Sequence, residues 1–251
     1  MSTAYLTSIL AREAVDTSAF SPVRQVQSII HPVLTQWANR FLRSVTPSGS
    51  FAKGTANKSG TDIDLFISLS EDTPETLKAI YDLLFKAVSE AGYRPKRQNV
   101  SINATIAGYD VDLVPAKRQN AASSDHSLYR SRADTWTKTN VDTHISTVIR
   151  TGRQQQSRLL KLWRTQKGLE FPSFYLELTV IEALRGKPVQ DLSQSVVTVL
   201  EYLRDKFVAA RVLDPANGNN IISDDVTLAG KNAIRRAAEQ ALGGNWSGFV
   251  Q

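Results

Sequence analysis

Residues 49–67 read GSFAKGTANKSGTDIDLFI. Gly49 and Gly54 lie in a polar loop, and Asp62 and Asp64 open an apolar run. Side chains alternate along a strand, so positions two apart point the same way. A strand from about Asp62 to Ser68 therefore turns both aspartates to one face and Ile63 and Leu65 to the core. Two carboxylates that close repel unless a cation sits between them. The preceding loop suits an anion: glycines at 49 and 54 let a phosphate approach main-chain N–H groups with no Cβ in the way. Ser50 and Thr55 add hydroxyl donors, and Lys53 and Lys58 add positive charge. It is not a Walker loop, because the spacing and the terminal Lys-Ser/Thr are missing.

A second acidic pair, Asp110 and Asp112 in YDVDLVPA, again falls on one face of an expected strand. Three carboxylates on neighbouring strands can hold two Mg²⁺ ions, which favour octahedral oxygen ligands. Two such ions about 3.5–4 Å apart stabilise both the attacking and the leaving oxygen of a phosphoryl displacement. Ordinary edge-strand or turn charges are the competing reading for each pair taken alone.

Around these strands the pattern is mostly helical. Ser21-Pro22 reads as N-cap and first residue of a helix carrying Val23, Val26, Ile30, Val33, Trp37 and Phe41, with Pro32 as a kink. A shorter helix is expected around Leu6 to Ala14. Thr73-Pro74-Glu75 caps a helix with Leu77, Ile80, Leu84 and Val88 on its stripe, ended by Gly92. SINATIAGYDVDLVP gives two strands joined at Ala107-Gly108. Beyond about residue 140 the segments VDTHISTVIR, QQQSRLLKLWRTQ, SFYLELTVIEALRG, QSVVTVLEYLRDKFVAARVL and DDVTLAGKNAIRRAAEQAL all read as helices. DPANGNN reads as a loop between the last two. The class is α+β: an α/β lobe with N-terminal helices over 1–140 and a helical lobe over 141–251, the first helices bridging both.

Composition bounds the chemistry. The chain has 251 residues and no cysteine, which excludes disulfides and thiolate metal sites. A net charge of +6 favours polyanionic ligands. No basic start followed by an apolar core marks a secretory signal, and no stretch approaches the ~18–20 apolar residues of a membrane span. A cytoplasmic protein without a membrane is therefore expected. His31, His126 and His144 have no zinc-type spacing, and no Gly-x-Ser-x-Gly elbow is present for a hydrolase. The run YRPKR, Lys117-Arg118, and Arg150, Arg153 and Arg158 are candidate polyanion contacts or solvated faces.

The order GS-x-x-x-GT, DIDLF and VDLVPA resembles the nucleotidyltransferases of the DNA polymerase β-like superfamily. The branch it is most similar to joins 2′–5′ oligoadenylate synthetases, archaeal-type CCA-adding enzymes and the bacterial cyclic-oligonucleotide synthases (CD-NTases). The resemblance implies a polymerase β-like lobe with a mixed sheet, packed on a helical lobe, with the active site in the cleft between them. It implies Mg²⁺, with Mn²⁺ as a substitute, held by Asp62, Asp64 and Asp112, with Asp110 competing for the third place. Gly49 and Ser50 would grip the triphosphate of a bound nucleotide such as ATP. SRLLKLWRTQKG resembles the family's Arg-x-x-Lys-x-Trp helix, which makes Lys161 a triphosphate ligand. PSFYLELTV resembles Ser-Tyr-x-Leu-Glu, so Ser173 would contact phosphate and Phe174 would stand where a tyrosine stacks on the base. Asp214, Pro215 and Asn220 in DPANGNN resemble a late nucleotide-binding loop. A solvated Lys161, a core Phe174 and a plain turn at Asn220 are the structural alternatives.

The implied reaction is Mg-dependent joining of nucleoside triphosphates into a small cyclic or linear oligonucleotide, with pyrophosphate released, in bacterial anti-phage defence. A separate effector protein would respond to the product. The alternative is terminal transfer onto RNA, CCA-adding-like, or onto a small molecule or protein; RNA could also act as activator. A silent nucleotide- or RNA-binding module is a third reading, opposed by the crowded carboxylates.

Overall fold

The computed structural model describes residues 2–60, 62–188, 191–244 and 249–250. The chain divides into two compact units, each built from separated stretches. One comprises Asp16–Ala52 and Thr61–Ile145; the other comprises Met1–Val15, Lys53–Gly60 and Ser146–Gln251.

The first unit is a sheet with helices. Its strands are β1 (Leu42–Pro47), β2 (Ile63–Leu69), β3 (Lys96–Arg97), β4 (Ile102–Ile106), β5 (Tyr109–Arg118), β6 (His126–Arg130) and β7 (Thr135–Thr139). They form one mixed sheet in the order β1-β2-β5-β4-β3, with β6 joining β5 to β7. Among the described residues of this sheet, only β2 and β5 pair parallel. Alternation works as expected on β2: Ile63, Leu65, Ile67 and Leu69 are buried in the core with Val111 and Leu113 of β5. Two helices, α2 (Pro22–Ala38) and α4 (Leu77–Glu90), press Val26, Ile30, Leu34, Ile80 and Leu84 into that core. Ser21 and Pro22 start α2 as read, although the serine hydroxyl makes no capping bond, and the helix runs on through Pro32.

The cap of α4 lies later than expected. Thr76 accepts from the Ala79 N–H at 3.2 Å, while Thr73 is buried and donates its hydroxyl to the Ser70 carbonyl at 2.7 Å. A short helix α3 (Gly49–Ala52) interrupts the Gly-Ser loop. Ala107-Gly108 makes the β4–β5 turn as read, both residues with positive φ.

The second unit is helical: α1 (Thr3–Arg12), α6 (Gln154–Gln166), α7 (Ser173–Ala183), α8 (Leu192–Asp205) and α9 (Leu228–Gly243), with α5 (Val141–Ile149) leading into it. Leu6 of α1, Leu160 and Trp163 of α6, Tyr175 of α7 and Leu200 of α8 share its core. Two expectations change here. The long helix expected through Leu213 stops at Asp205, and Phe207, fully buried, sits in a 3-10 turn instead. DPANGNN is a small hairpin, β8 (Leu213–Asp214) with β9 (Asn217–Ile221), in which Asn220 Nδ2 donates to Asp214 Oδ2 at 3.1 Å. No described helix is long and apolar enough to cross a membrane.

Candidate active site

The parallel pairing of β2 and β5 sets Asp64 beside Asp112. Asp62 and Asp110 continue the same parity at the N-terminal ends of the pair. Asp112 is held from the far side by Asn103 of β4, whose Nδ2 donates to Oδ1 at 2.9 Å. Asp110 is exposed and accepts a long 3.4 Å bond from Thr105. Burial lifts the Asp62 carboxyl above its ordinary value, and the Asp110 charge adds to it. Burial likewise raises Asp112; its bond from Asn103 opposes the shift, and the charges of Asp62 and Asp110 add to it.

Gly49 belongs to this face. Its φ is +54°, and a Cβ placed on it would lie 1.7 Å from Asp64 Oδ2. The Ser48 N–H donates to the Asp64 carbonyl at 2.8 Å, fastening the loop to β2. Glycine is thus required twice over, for the backbone and for the approach of the carboxylate.

Among the described residues no three His, Asp or Glu side chains are gathered into a metal-coordinating group. The expected triad shares one sheet face, but Asp112 is engaged by Asn103 and Asp64 lies against Gly49, and mutual repulsion opposes closer approach. The chemistry of the set still fits a hard divalent cation, since every donor is a carboxylate oxygen and the charges raise one another's proton affinity.

Past the carboxylates, Phe66 and Ser68 line a cavity of about 450 Å³ with Arg43, Thr46, Arg118 and His126. They continue the parity of Asp62 and Asp64, so the cavity opens over the same face. His126 Nδ1 lies 2.8 Å from the Ser124 carbonyl, to which only an N–H can donate. Its Nε2 therefore accepts the Ser68 hydroxyl at 2.8 Å, and burial lowers the ring's pKa. This Ser-His contact gave no sequence signal, because its partners lie 58 positions apart. A backbone carbonyl stands where a hydrolase would carry its third residue, and both side chains are buried.

The helical unit holds a basic cluster. Lys161 is 6% exposed; its Nζ lies 2.5 Å from Glu177 Oε1 and 3.0 Å from Thr55 Oγ1. Lys53 pairs with Glu177 Oε2 at 2.6 Å and lies over the Phe174 ring, 4.7 Å from its centroid. Lys161 is thus buried rather than solvated, and Phe174 is half-buried rather than a fully enclosed core aromatic. Ser173 opens α7 and accepts from Arg164 at 3.0 Å. Asn220 lies with Asp214 in the β8–β9 hairpin. Nothing in the sequence alone gives Glu177 a role.

Two of the candidate cleft arginines are structural instead. Arg158 donates to the Leu10 and Glu13 carbonyls at 3.0 and 2.8 Å, closing the end of α1. Arg153 is buried and donates to carbonyls after α7, including Leu184 at 3.2 Å and Pro188 at 3.1 Å. In YRPKR, Arg97 pairs with Asp82 and covers Phe85. Lys117 donates to the Thr73 carbonyl.

A parallel strand pair bearing aligned aspartates behind a Gly-Ser loop defines a class. Residues 33–125 match the family model of the nucleotidyltransferase domain. The chain has a polymerase β-like fold, and its similarity to the nucleotidyltransferase domain falls on the sheet-bearing residues 33–125. It is 24% identical over 258 residues to the cyclic AMP-AMP-AMP synthase of Escherichia coli (strain MS 115-1), spanning 87% of this chain and 80% of that protein. Among solved structures, E. coli MS115-1 CdnC with ATP superposes with a TM-score of 0.78 at 21% identity, covering 97% of this chain and 91% of the other. The CD-NTase CdnG of Bradyrhizobium diazoefficiens with GTP gives 0.77 at 14% identity, covering 98% and 91%. These superpositions establish a shared fold.

Proposed function

We propose that this chain joins nucleoside triphosphates into a small cyclic or linear oligonucleotide in the manner of a CD-NTase, with Mg²⁺ as the metal. The observation that carries the reading is the alignment of Asp64 with Asp112 on one face, with Gly49 against Asp64. Similarity to a cyclic-trinucleotide synthase supports the product class.

Asp62, Asp64 and Asp112 would hold the metal, which when bound supplies a lowered hydroxyl pKa and charge neutralisation at the leaving pyrophosphate. Gly49 and Ser50 bring main-chain and hydroxyl donors to the donor triphosphate, and Lys161 and Ser173 bind its phosphates. Asn103 keeps Asp112 oriented, and its bond opposes the upward shift that burial puts on that carboxyl. Phe174 offers a flat face to the donor base, and Asn220 a polar contact. None of these residues needs to form a covalent intermediate, so their work is orientation and charge.

The cavity by Phe66 is the proposed seat of the acceptor base. From Asp64 to Phe66 a strand rises about 7 Å, within the span of a nucleoside whose ribose hydroxyl sits at the carboxylates. Phe66 supplies an apolar wall, and Arg43 and Arg118 supply charge. A defence role, with a separate effector protein answering the product, follows from the family reading.

The test is incubation with all four nucleoside triphosphates and Mg²⁺ without acceptor, followed by phosphatase treatment and mass spectrometry. A phosphatase-resistant oligonucleotide supports the reading. Extension of added RNA, with no acceptor-free product, would favour terminal transfer instead.

A further inference from the structure

Helix α7 carries a carboxylate among apolar neighbours. Glu177 is fully buried, between Leu176 and Leu178 in sequence and beside Tyr175 and Val180 of the same core. A buried charge costs several kcal/mol unless it is paired and hydrogen-bonded. Here the pairing is double: Lys161 on Oε1, Lys53 on Oε2, and the Thr55 hydroxyl donating to Oε1 at 2.5 Å. One carboxylate therefore faces two ammonium groups, both under a tenth exposed. The cluster holds one positive charge more than it neutralises.

That surplus gives the cluster a purpose beyond packing. A hydrophobic residue at 177 would spare the fold a buried anion, but it would leave two lysines enclosed without a counter-charge. Burial already lowers the pKa of Lys161, with Glu177 opposing that shift. On Glu177 burial acts upward, and the two lysines outweigh it, so its carboxyl sits below the ordinary value and stays ionised. The groups facing Lys161 are Glu177 on α7, Thr55 and Lys53 on the 53–60 segment, and Arg164 on its own helix. Glu177 is the one anion among them.

We propose that Glu177 is a positioning residue for nucleotide binding, holding Lys161 and Lys53 in place so that their surplus charge serves the triphosphate. The inference rests on the nucleotidyltransferase reading of Lys161. It assigns Lys53 as the second arm that fixes Glu177 while its ammonium lies over the Phe174 ring.

The test measures the affinity of a non-hydrolysable ATP analogue from pH 6 to pH 9 for the wild type, Glu177→Gln, Glu177→Asp and Lys161→Ala. Each variant is expressed as a ratio to the wild type at the same pH, which cancels titration of the phosphates. Glu177→Gln is expected to approach wild-type affinity at pH 6 and to lose about 10-fold or more by pH 9, as the unpaired lysine deprotonates. Lys161→Ala should be weak at every pH. Glu177→Asp keeps the charge and should be weaker with a flat ratio; it also serves if the glutamine variant does not fold. A pH-independent ratio for Glu177→Gln, whether at wild-type strength or uniformly weakened, overturns the proposal. For Glu177→Asp, a ratio falling with pH does the same. No binding of ATP or GTP analogues by the wild type would instead overturn the nucleotidyltransferase reading itself.

Discussion

Gly49 is where backbone and chemistry meet most tightly. Its positive φ strains any L side chain, and its missing Cβ is the space into which the Asp64 carboxylate fits. Gly49→Ala should cost about 1–3 kcal/mol in backbone strain and push Asp64 from its place. The expected outcome is a folded protein of lower melting temperature with nucleotide incorporation largely lost; an alanine variant of normal activity would contradict the close approach. The glycine and the paired aspartates were legible in the sequence, because a period of two and a Gly-Ser turn are local signals. Glu177 was not. A glutamate in a helix reads as a solvent-facing residue, and its hydroxyl partner Thr55 lies 122 positions away.

The β2–β5 pair sets the electrostatics of the carboxylate face. Asp62 and Asp112 both have pKa values raised by burial, so the folded state prefers their protonated forms. A raised carboxylate favours folding below its unfolded pKa, and that contribution is lost as pH rises through the folded value. At pH 7 the ionised pair therefore weighs against stability. Asp112→Asn should melt higher than the wild type at pH 7, with the advantage shrinking at pH 4, while catalysis is abolished; a variant melting lower at pH 7 would refute the burial argument.

Which elements were readable follows the same physics. The buried strand β2 and the helices with apolar stripes announced themselves. β1, β6 and β7 did not, since LRSVTP, HSLYR and TWTKT are polar stretches with few buried positions, made strands by their pairing. DPANGNN has the composition of a turn; the Asp214–Asn220 bond and the Leu213–Ile221 pairing make it a hairpin.

Across the molecule, the aspartate face and the Lys53–Glu177–Lys161 cluster belong to different compact units. The carboxylates lie on the sheet of one, and Lys53, Lys161 and Glu177 lie in the helical core of the other. Each unit takes its residues from separated stretches, and no local pattern reports that residues 53–60 pack with α6 and α7. The net charge of +6 points to anionic ligands without saying which. The division makes a single proposal testable: Asp62 and Asp64 serve phosphoryl transfer and are not needed for the fold. Pyrophosphate release from nucleoside triphosphates with Mg²⁺ measures it directly, comparing the wild type with Asp62→Asn/Asp64→Asn. A fall of at least about 1000-fold, on the scale of several kcal/mol of transition-state stabilisation, is predicted with an unchanged circular dichroism spectrum. Equal pyrophosphate release by a folded double variant would contradict the account.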